Sequence, residues 1–466
     1  MSDDFDELLT AVLARAIVGF SELVSCNKLT AGASQETYRI VVRADDAELL
    51  LALRRAVPTL LEGSGVGKIT LEVEAQLLQL AGAAGIPEPE VIYLLQEADG
   101  LGSGFLMEWL EGETLGGRIT RSDDFAQLRP QLAFQCGEQL ARVHALDWRA
   151  AGLEASLPRV SPQVLVQETW SYYRDLNVPA PMIDYSWRWL QDNIPKESRL
   201  SLVHGDFRNG NLMVTAQGIN AVLDWELAHL GDPVRDLGWL CVNSWRFGKR
   251  ELPVGGFGEI DDLLAGYRAV SGIDVSREEL RFWQVFGSFW WSMATLRMAQ
   301  SWRTGETPSL ERPVIGRRSS EAQMDCVNLL IPGTFDLPDT SAELAEGTQL
   351  PMPSELLESV RGFLKQDVVD GADQHTGFMA RVAANSLGIA QREMLYGPAL
   401  ADAECERLHA LLDCQAGLDQ LRRELVLRLR DGLELNTPGL AAHLRQTVAG
   451  QLALDQPRYS ALAQCD

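Results

Sequence analysis

The stretch LVHGDFRNGNLM at residues 202–213, with AVLDWE following at 221–226, decides how this 466-residue chain is read. His204 precedes Asp206, Asn211 stands five residues beyond that Asp, and Asp224 closes a strand-turn-strand run, LMVTAQGINAVLD. Transfer of a phosphoryl group asks little covalent chemistry of a protein. It needs an acceptor hydroxyl held in line, a carboxylate to take its proton, and oxygen ligands for the cations that hold phosphate charge. An Asp with an Asn five positions on and a second Asp past the next strand meets those demands, because one hairpin then directs three side chains toward one point. The competing reading is a polar loop in which Asp206 and Asn211 cap turns, as Asp and Asn commonly do. The surroundings favour the catalytic reading: Asp232 and Asp236 follow closely in GDPVRDLGWL. Asp236, near a helix start, is placed either to receive backbone N–H groups of the 204–211 loop or to cap its own helix.

Working outward, ELVSCNKL (22–29), TYRIVVR (37–43) and AELLLALRR (47–55) read as three short strands in an antiparallel meander, being rich in Val, Ile, Leu and Tyr and separated by turn residues. ITLEVEAQLLQLAGAAG (69–85) has Leu71, Leu77, Leu78 and Ala81 at helical spacing and ends at Gly85 and Pro87. EVIYLL (90–95) and SGFLMEWL (103–110) read as two more strands. Beyond 111 the pattern is helical: 125–146, 164–192, 234–245, 259–271 and 278–303, interrupted by the hairpin of the opening motif. Residues 332–353, with four Pro and two Gly, read as a linker, and 354–463 as helices.

The formal net charge of -24, most of it upstream of Pro351, repels nucleic-acid phosphates and anionic membranes, so neither is an expected partner. Seven scattered cysteines with no Cys-x-x-Cys pair suggest neither a disulfide framework nor a zinc site. The acidic, amphipathic start MSDDFDELLTAVL lacks the basic and apolar regions of a signal peptide, and FWQVFGSFWWSMATL (282–296) is shorter than the roughly 20 apolar residues a membrane span needs. The expectation is a cytoplasmic protein.

HGDFRNGN, LDWE and GDPVRDL together resemble the aminoglycoside phosphotransferase family of kinase-like enzymes. ALRR, the long Trp-containing helices and GDPVRDLGW are similar to the branch of kinase modules fused to, or found beside, acyl-CoA dehydrogenases. The resemblance spans residues 20–335 and implies an α+β, two-lobed protein-kinase-like fold, with an N-lobe at 1–110 and a C-lobe at 111–335. A linker at 336–353 and an appended helical domain at 354–466 complete the expected organisation; HTGFMARVAANSLGIAQREM (375–394) resembles a small domain of unknown function. The resemblance further implies ATP as donor, Mg2+ as cofactor and a small-molecule hydroxyl as acceptor. Asp206 would be the catalytic base and His204 the anchor of its loop. Asn211 and Asp224 would be metal ligands, with Glu226, Asp232 and Asp236 in support. LTAGASQETYRI (29–40), with Ala33 and Ser34, would cover the phosphates, and Met107, Glu108, Trp109 and Leu110 would form the hinge that meets adenine. Glu74 would orient the phosphate-binding cation.

Two positions depart from the family pattern. The phosphate loop holds a single glycine, Gly32, so Ser34 is the candidate donor there. The strand position that carries Lys in such kinases is Arg54, whose planar fork suits phosphate and is expected to pair with Glu74. EGSGVGKIT (62–70) fails the P-loop spacing, having Glu62 where Gly and Ile69 where Ser or Thr is required, so 62–68 reads as a loop leading into the helix, with Lys68 solvated or, as the alternative, near a ligand. His144 reads as a hydrogen-bonded core histidine, and Trp283, Trp290, Trp291 and Trp302 read as packing rather than a pocket. In the last domain Phe378, Val382, Leu387 and Ile389 form an apolar stripe, with Arg381, Asn385 and Arg392 on other turns.

The sequence thus predicts a small-molecule kinase whose acceptor, by branch resemblance, is a hydroxyacyl-CoA or hydroxy acid. An aminoglycoside, another antibiotic or a sugar is the alternative acceptor. A nucleotide-binding pseudokinase that docks a partner such as an acyl-CoA dehydrogenase is the alternative from another class.

Overall fold

The computed structural model describes residues 3–29, 35–45, 47–56, 68–196, 198–338 and 351–462. Ala33 and Ser34 of the expected phosphate loop lie outside the described residues, as does most of the 336–353 stretch. The chain divides into two compact units, one made of 1–162, 196–241 and 245–280, the other of 163–195, 242–244 and 281–466.

The first unit opens with helix α1 (Asp3–Ala16) and strands β1 (Phe20–Lys28), β2 (Gln35–Ala44) and β3 (Ala47–Ala56). Helix α2 (Leu71–Ala83) and strands β4 (Val91–Leu94) and β5 (Gly104–Glu108) follow. The strands form one antiparallel sheet in the order β1-β2-β3-β5-β4. Alternation along the strands sorts the side chains: Tyr38, Ile40 and Val42 of β2 and Leu51 and Leu53 of β3 share a core with Leu9, Val12 and Leu13 of α1. Each such buried aliphatic chain contributes roughly 1.5–3 kcal/mol. The same alternation sends Arg54 to the opposite face, where it opposes Thr37 on one side and Phe105 on the other. Thr70 caps α2 by accepting from the Val73 N–H at 3.4 Å, and this start places Glu74 in the first turn.

Helices α3 (Gly116–Ile119) and α4 (Arg129–His144) come next in the chain, then α5 (Pro162–Asp175) and α6 (Pro181–Asp192). Strands β6 (Ser201–Val203), β7 (Leu212–Thr215), β8 (Gly218–Val222) and β9 (His229–Gly231) precede α7 (Val234–Leu240) and α8 (Ile260–Ser271). β7 and β8 form the expected hairpin; β6 pairs with β9, a second ribbon of three residues a side. The expected helix at 234–245 stops earlier, at Leu240, followed by a single tight turn at Asn243–Trp245. Helix α4 touches α8 closely because Gly137 and Gly266 face each other's helix; a Cβ on Gly137 would come within 2.1 Å of the Leu263 carbonyl. That contact brings His144, at the end of α4, to Tyr267 of α8.

The second unit contains α5 from Gln163, α6, most of α9 (Arg277–Arg303), α10 (Glu311–Arg317) and α11 (Ser319–Leu330). It also contains α12 (Pro353–Phe363), α13 (Gln374–Leu412), α14 (Leu418–Arg430) and α15 (Leu440–Asp455). The C-terminal helices share its interior: Arg430 of α14 donates to Asp184 of α6 at 2.6 Å, and Tyr173 of α5 donates to the same carboxylate at 2.8 Å. Arg188 of α6 caps α14 by donating to the Leu429 carbonyl at 2.6 Å. Arg392 does the same for α15 through the Leu454 carbonyl at 2.6 Å. The expected apolar stripe divides: Ile389 is buried, whereas Phe378 is 44% exposed. Among the described residues no helix is long and apolar enough to cross a membrane.

Candidate active site

The 204–211 loop hangs between β6 and β7 and is fixed from behind by one carboxylate. Asp236, fully buried on α7, accepts the backbone N–H of His204 at 2.8 Å and of Gly205 at 2.9 Å, and lies 3.2 Å from Nε2 of His144. Burial pushes this carboxyl up, but the His144 hydrogen bond and neighbouring positive charge, that of Arg235 included, outweigh it and hold it down at about 2. Capping of α7 falls to Asp232 instead, whose Oδ1 accepts the Val234 N–H at 2.9 Å. Asp236 therefore serves the loop, one of the two placements open to it from sequence. The loop needs Gly205: its φ is +86°, and a Cβ there would stand 2.3 Å from the Leu227 carbonyl oxygen. His204 Nδ1 accepts the Asp206 N–H at 3.2 Å, and its ring meets Trp225 at a tilt of 49°, centroids 4.7 Å apart. Burial drives its pKa to about 4, so the ring is neutral at physiological pH.

Asp206 is held through both carboxylate oxygens. Trp239 Nε1–H donates to Oδ1 at 2.7 Å, Asn211 Nδ2 donates to Oδ2 at 2.6 Å, and Arg208 Nε stands 3.2 Å from each oxygen. Burial raises the Asp206 pKa, while Arg208, Trp239 and Asn211 work against the rise. Because the Asn211 amide nitrogen is committed to Asp206, its amide oxygen, which makes no hydrogen bond among the described residues, is left for another partner.

Across the site lies a cluster of alternating charge. Asp224 adopts the left-handed conformation, φ 69°, which Asp tolerates better than most residues, and its Oδ1 is 2.7 Å from Arg54 Nη2. The same guanidinium nitrogen lies 3.2 Å from Glu74, and Arg54 Nε donates to Gln35. Burial pushes the Glu74 carboxyl up to about 7 against the pull of Arg54. Lys68 differs from its sequence reading: its ammonium donates to both carboxylate oxygens of Glu226, at 3.0 and 2.9 Å, rather than to solvent. The Ile69 N–H adds a bond to the Glu226 carbonyl at 3.2 Å, so the start of α2 is tied to the Asp224–Glu226 turn. At the end of β5, Met107 opposes Ala52, Glu108 N–H bonds the Glu90 carbonyl at 2.9 Å, and Trp109 N–H bonds the Leu50 carbonyl at 3.1 Å. Leu110 follows, half-buried, and Glu108 is exposed.

The donor set suits a hard divalent cation. Asn211 offers an amide oxygen and Asp224 a carboxylate, the oxygen ligands that magnesium takes together with water and phosphate. Among the described residues no three His, Cys, Asp or Glu side chains cluster as a metal cage. The structure thus brings together Asp206, His204, Asn211 and Asp236 on one side and Arg54, Glu74, Asp224 and Glu226 on the other, and joins the two where the Leu223 N–H, next to Asp224, bonds the Asn211 carbonyl at 2.8 Å. Sequence reasoning missed Arg208, Trp239 and Lys68. The first two carried a signal, since Arg208 stands two residues after Asp206 and Trp239 one helical turn after Asp236. His229 is buried, with Nδ1 2.9 Å from the Leu227 carbonyl oxygen.

The chain is similar to known proteins over much of its length. Over 250 residues the chain is 30% identical to mouse acyl-CoA dehydrogenase family member 10, covering 52% of this chain and 22% of that protein. It is 26% identical over 322 residues to rat acyl-CoA dehydrogenase family member 11, covering 61% of this chain and 38% of that protein. It therefore spans well under half the length of either relative. A solved structure from Ralstonia eutropha, provisionally assigned as an aminoglycoside phosphotransferase, superposes with a TM-score of 0.56 at 21% identity. The match covers 69% of this chain and 96% of that one, and shows the α+β kinase-like fold. Residues 370–459 match a domain family of unknown function, DUF6285. Residues 25–273, more than half of the chain, match the phosphotransferase enzyme family, and they hold the loop, the hairpin and α7 described above: the chain belongs to that family.

Proposed function

We propose that this protein is an ATP-dependent small-molecule kinase in which Asp206 is the general base. The observation that carries the reading is the grip on Asp206: a carboxylate with donors on both oxygens, at the mouth of a loop whose backbone is bound by a buried anion. Such a group is held at a fixed angle to accept a proton. The acceptor hydroxyl gives its proton to Asp206 as its oxygen forms a bond to the γ-phosphorus, and the bond from that phosphorus to the bridging oxygen breaks to leave ADP. Asn211 and Asp224 would hold magnesium, which when bound neutralises charge on the phosphates. Arg54, oriented by Glu74, supplies the fixed cation in place of Lys. His204 anchors the loop, and Met107 to Leu110 meet the adenine.

The proposed acceptor is a hydroxyacyl-CoA or a related hydroxy acid. Support comes from the relatives named as acyl-CoA dehydrogenase family members, which match 52% and 61% of this chain. Calorimetric titration with MgATP, followed by a phosphoryl-transfer screen over hydroxyacyl-CoAs, hydroxy acids, aminoglycosides and sugars, tests both statements. Transfer to a CoA thioester is the expected result. Transfer to an aminoglycoside or sugar would replace the acceptor, and MgATP binding with no transfer to any of them would make the protein a nucleotide-binding docking module.

A further inference from the structure

We infer that Trp239 is a positioning residue for Asp206, fixing the plane in which its carboxylate meets an acceptor hydroxyl; the inference rests on the phosphotransferase reading above. Its indole N–H reaches Oδ1 at 2.7 Å while the Asn211 amide reaches Oδ2 at 2.6 Å. With a donor on each oxygen, rotation of the carboxylate breaks both bonds at once. Asn211 also faces the proposed cation, and Arg208 stands at a longer 3.2 Å from each oxygen. Trp239 holds the base from outside the loop.

The helix explains how the indole gets there. Asp236 and Trp239 are three residues apart on α7 and so lie on one face. One turn of helix therefore grips the backbone of the loop through Asp236 and its reactive side chain through Trp239. The indole is itself locked. It is 7% exposed and meets Trp245 edge-on, ring centroids 5.1 Å apart at 65°. Trp245 in turn lies under the Arg208 guanidinium at 4.6 Å, and that guanidinium faces both Asp206 oxygens. The Trp239 N–H goes to the proposed base, whereas the buried indoles of Trp187 and Trp283 find no acceptor among the described residues.

Trp239→Phe keeps the ring and removes the donor. With MgATP and the acceptor found by the screen, the expected result is a fall in kcat of about ten- to a hundredfold, the worth of a hydrogen bond to a charged group. KM for MgATP should stay within about twofold, since the nucleotide does not touch the indole in this scheme. The acid limb of kcat/KM should move to higher pH, because the ionised carboxylate loses a donor. A readout without turnover is 19F NMR of the 5-fluorotryptophan-labelled chain: one resonance, identified by its loss in Trp239→Phe, should titrate in the wild type and stay flat in Asp206→Asn. If that resonance is flat in the wild type, and Trp239→Phe leaves kcat and the acid limb unchanged while Asp206→Asn abolishes transfer, the inference fails and the kinase reading stands. If Asp206→Asn retains transfer, the kinase reading itself fails.

Discussion

Asp236→Asn removes the charge that binds the 204–211 loop while keeping the side chain's shape. In the wild type the carboxylate accepts two buried backbone N–H groups, at 2.8 and 2.9 Å, and faces His144 at 3.2 Å. Its pKa is held at about 2 in the folded chain, against roughly 3.9 in an unfolded one, and that gap is worth about 2.5 kcal/mol of stability at neutral pH. A second route gives a similar figure: Asn offers one acceptor oxygen and turns its NH2 toward the other N–H, stranding a buried donor at about 1–3 kcal/mol. The sign follows from the direction of the shift. A depressed carboxyl contributes stability that is present above the unfolded pKa and is lost as pH falls through the folded one. Urea unfolding at a series of pH values should therefore show the variant about 2–3 kcal/mol less stable from pH 8 down to about 5, with the gap narrowing below about 4. Hydrogen exchange should also speed at the amides of His204 and Gly205 before it does elsewhere. A gap below about 0.5 kcal/mol at pH 7, or one unchanged down to pH 3, would refute the reasoning.

Other substitutions test other parts of the account. Arg430→Ala leaves the Asp184 carboxylate buried with the Tyr173 hydroxyl, and should cost about 3 kcal/mol in a denaturant titration; a cost under 0.5 kcal/mol would mean that this pair does not bind α14 to α6. His443 on α15 is buried with no hydrogen-bond partner at either ring nitrogen among the described residues, and burial lowers its pKa to about 4. A lowered histidine pKa means that protonation favours unfolding, so His443 costs stability progressively as pH falls from about 6.5 toward 4. His443→Leu should be more stable than the wild type by a margin that widens by about 2 kcal/mol between pH 7.5 and 5; a margin flat with pH would contradict the shift.

The sequence made the sheet and the loop readable and left their braces hidden, for physical reasons. Runs rich in Val, Ile, Leu and Tyr, separated by turn residues, announced β2 and β3, and the Asp206, Asn211 and Asp224 spacing pointed three side chains toward one place. Asp236 had two possible tasks on sequence, and only the fold shows Asp232 taking the cap and freeing Asp236 for the loop. Lys68 looked like a loop residue, because its partner Glu226 is 158 positions away and no local pattern encodes that distance. Trp239 and Trp245 were equally local in sequence, yet what they hold is set by the packing of α7 against the loop. Helices α10 and α11 were not anticipated at all, since Pro313, Gly316 and a run of Arg and Ser obscure any apolar period over 311–330.

The central claim is that Asp206 takes the acceptor proton. Asp206→Asn is close to isosteric and cannot act as that base, so rapid-quench measurement of γ-phosphoryl transfer from MgATP, beside calorimetric MgATP affinity, tests the claim most directly. The account predicts a Kd for MgATP within about threefold of the wild type and a transfer rate lower by a factor on the order of a thousand or more. Transfer at the wild-type rate in Asp206→Asn would contradict it.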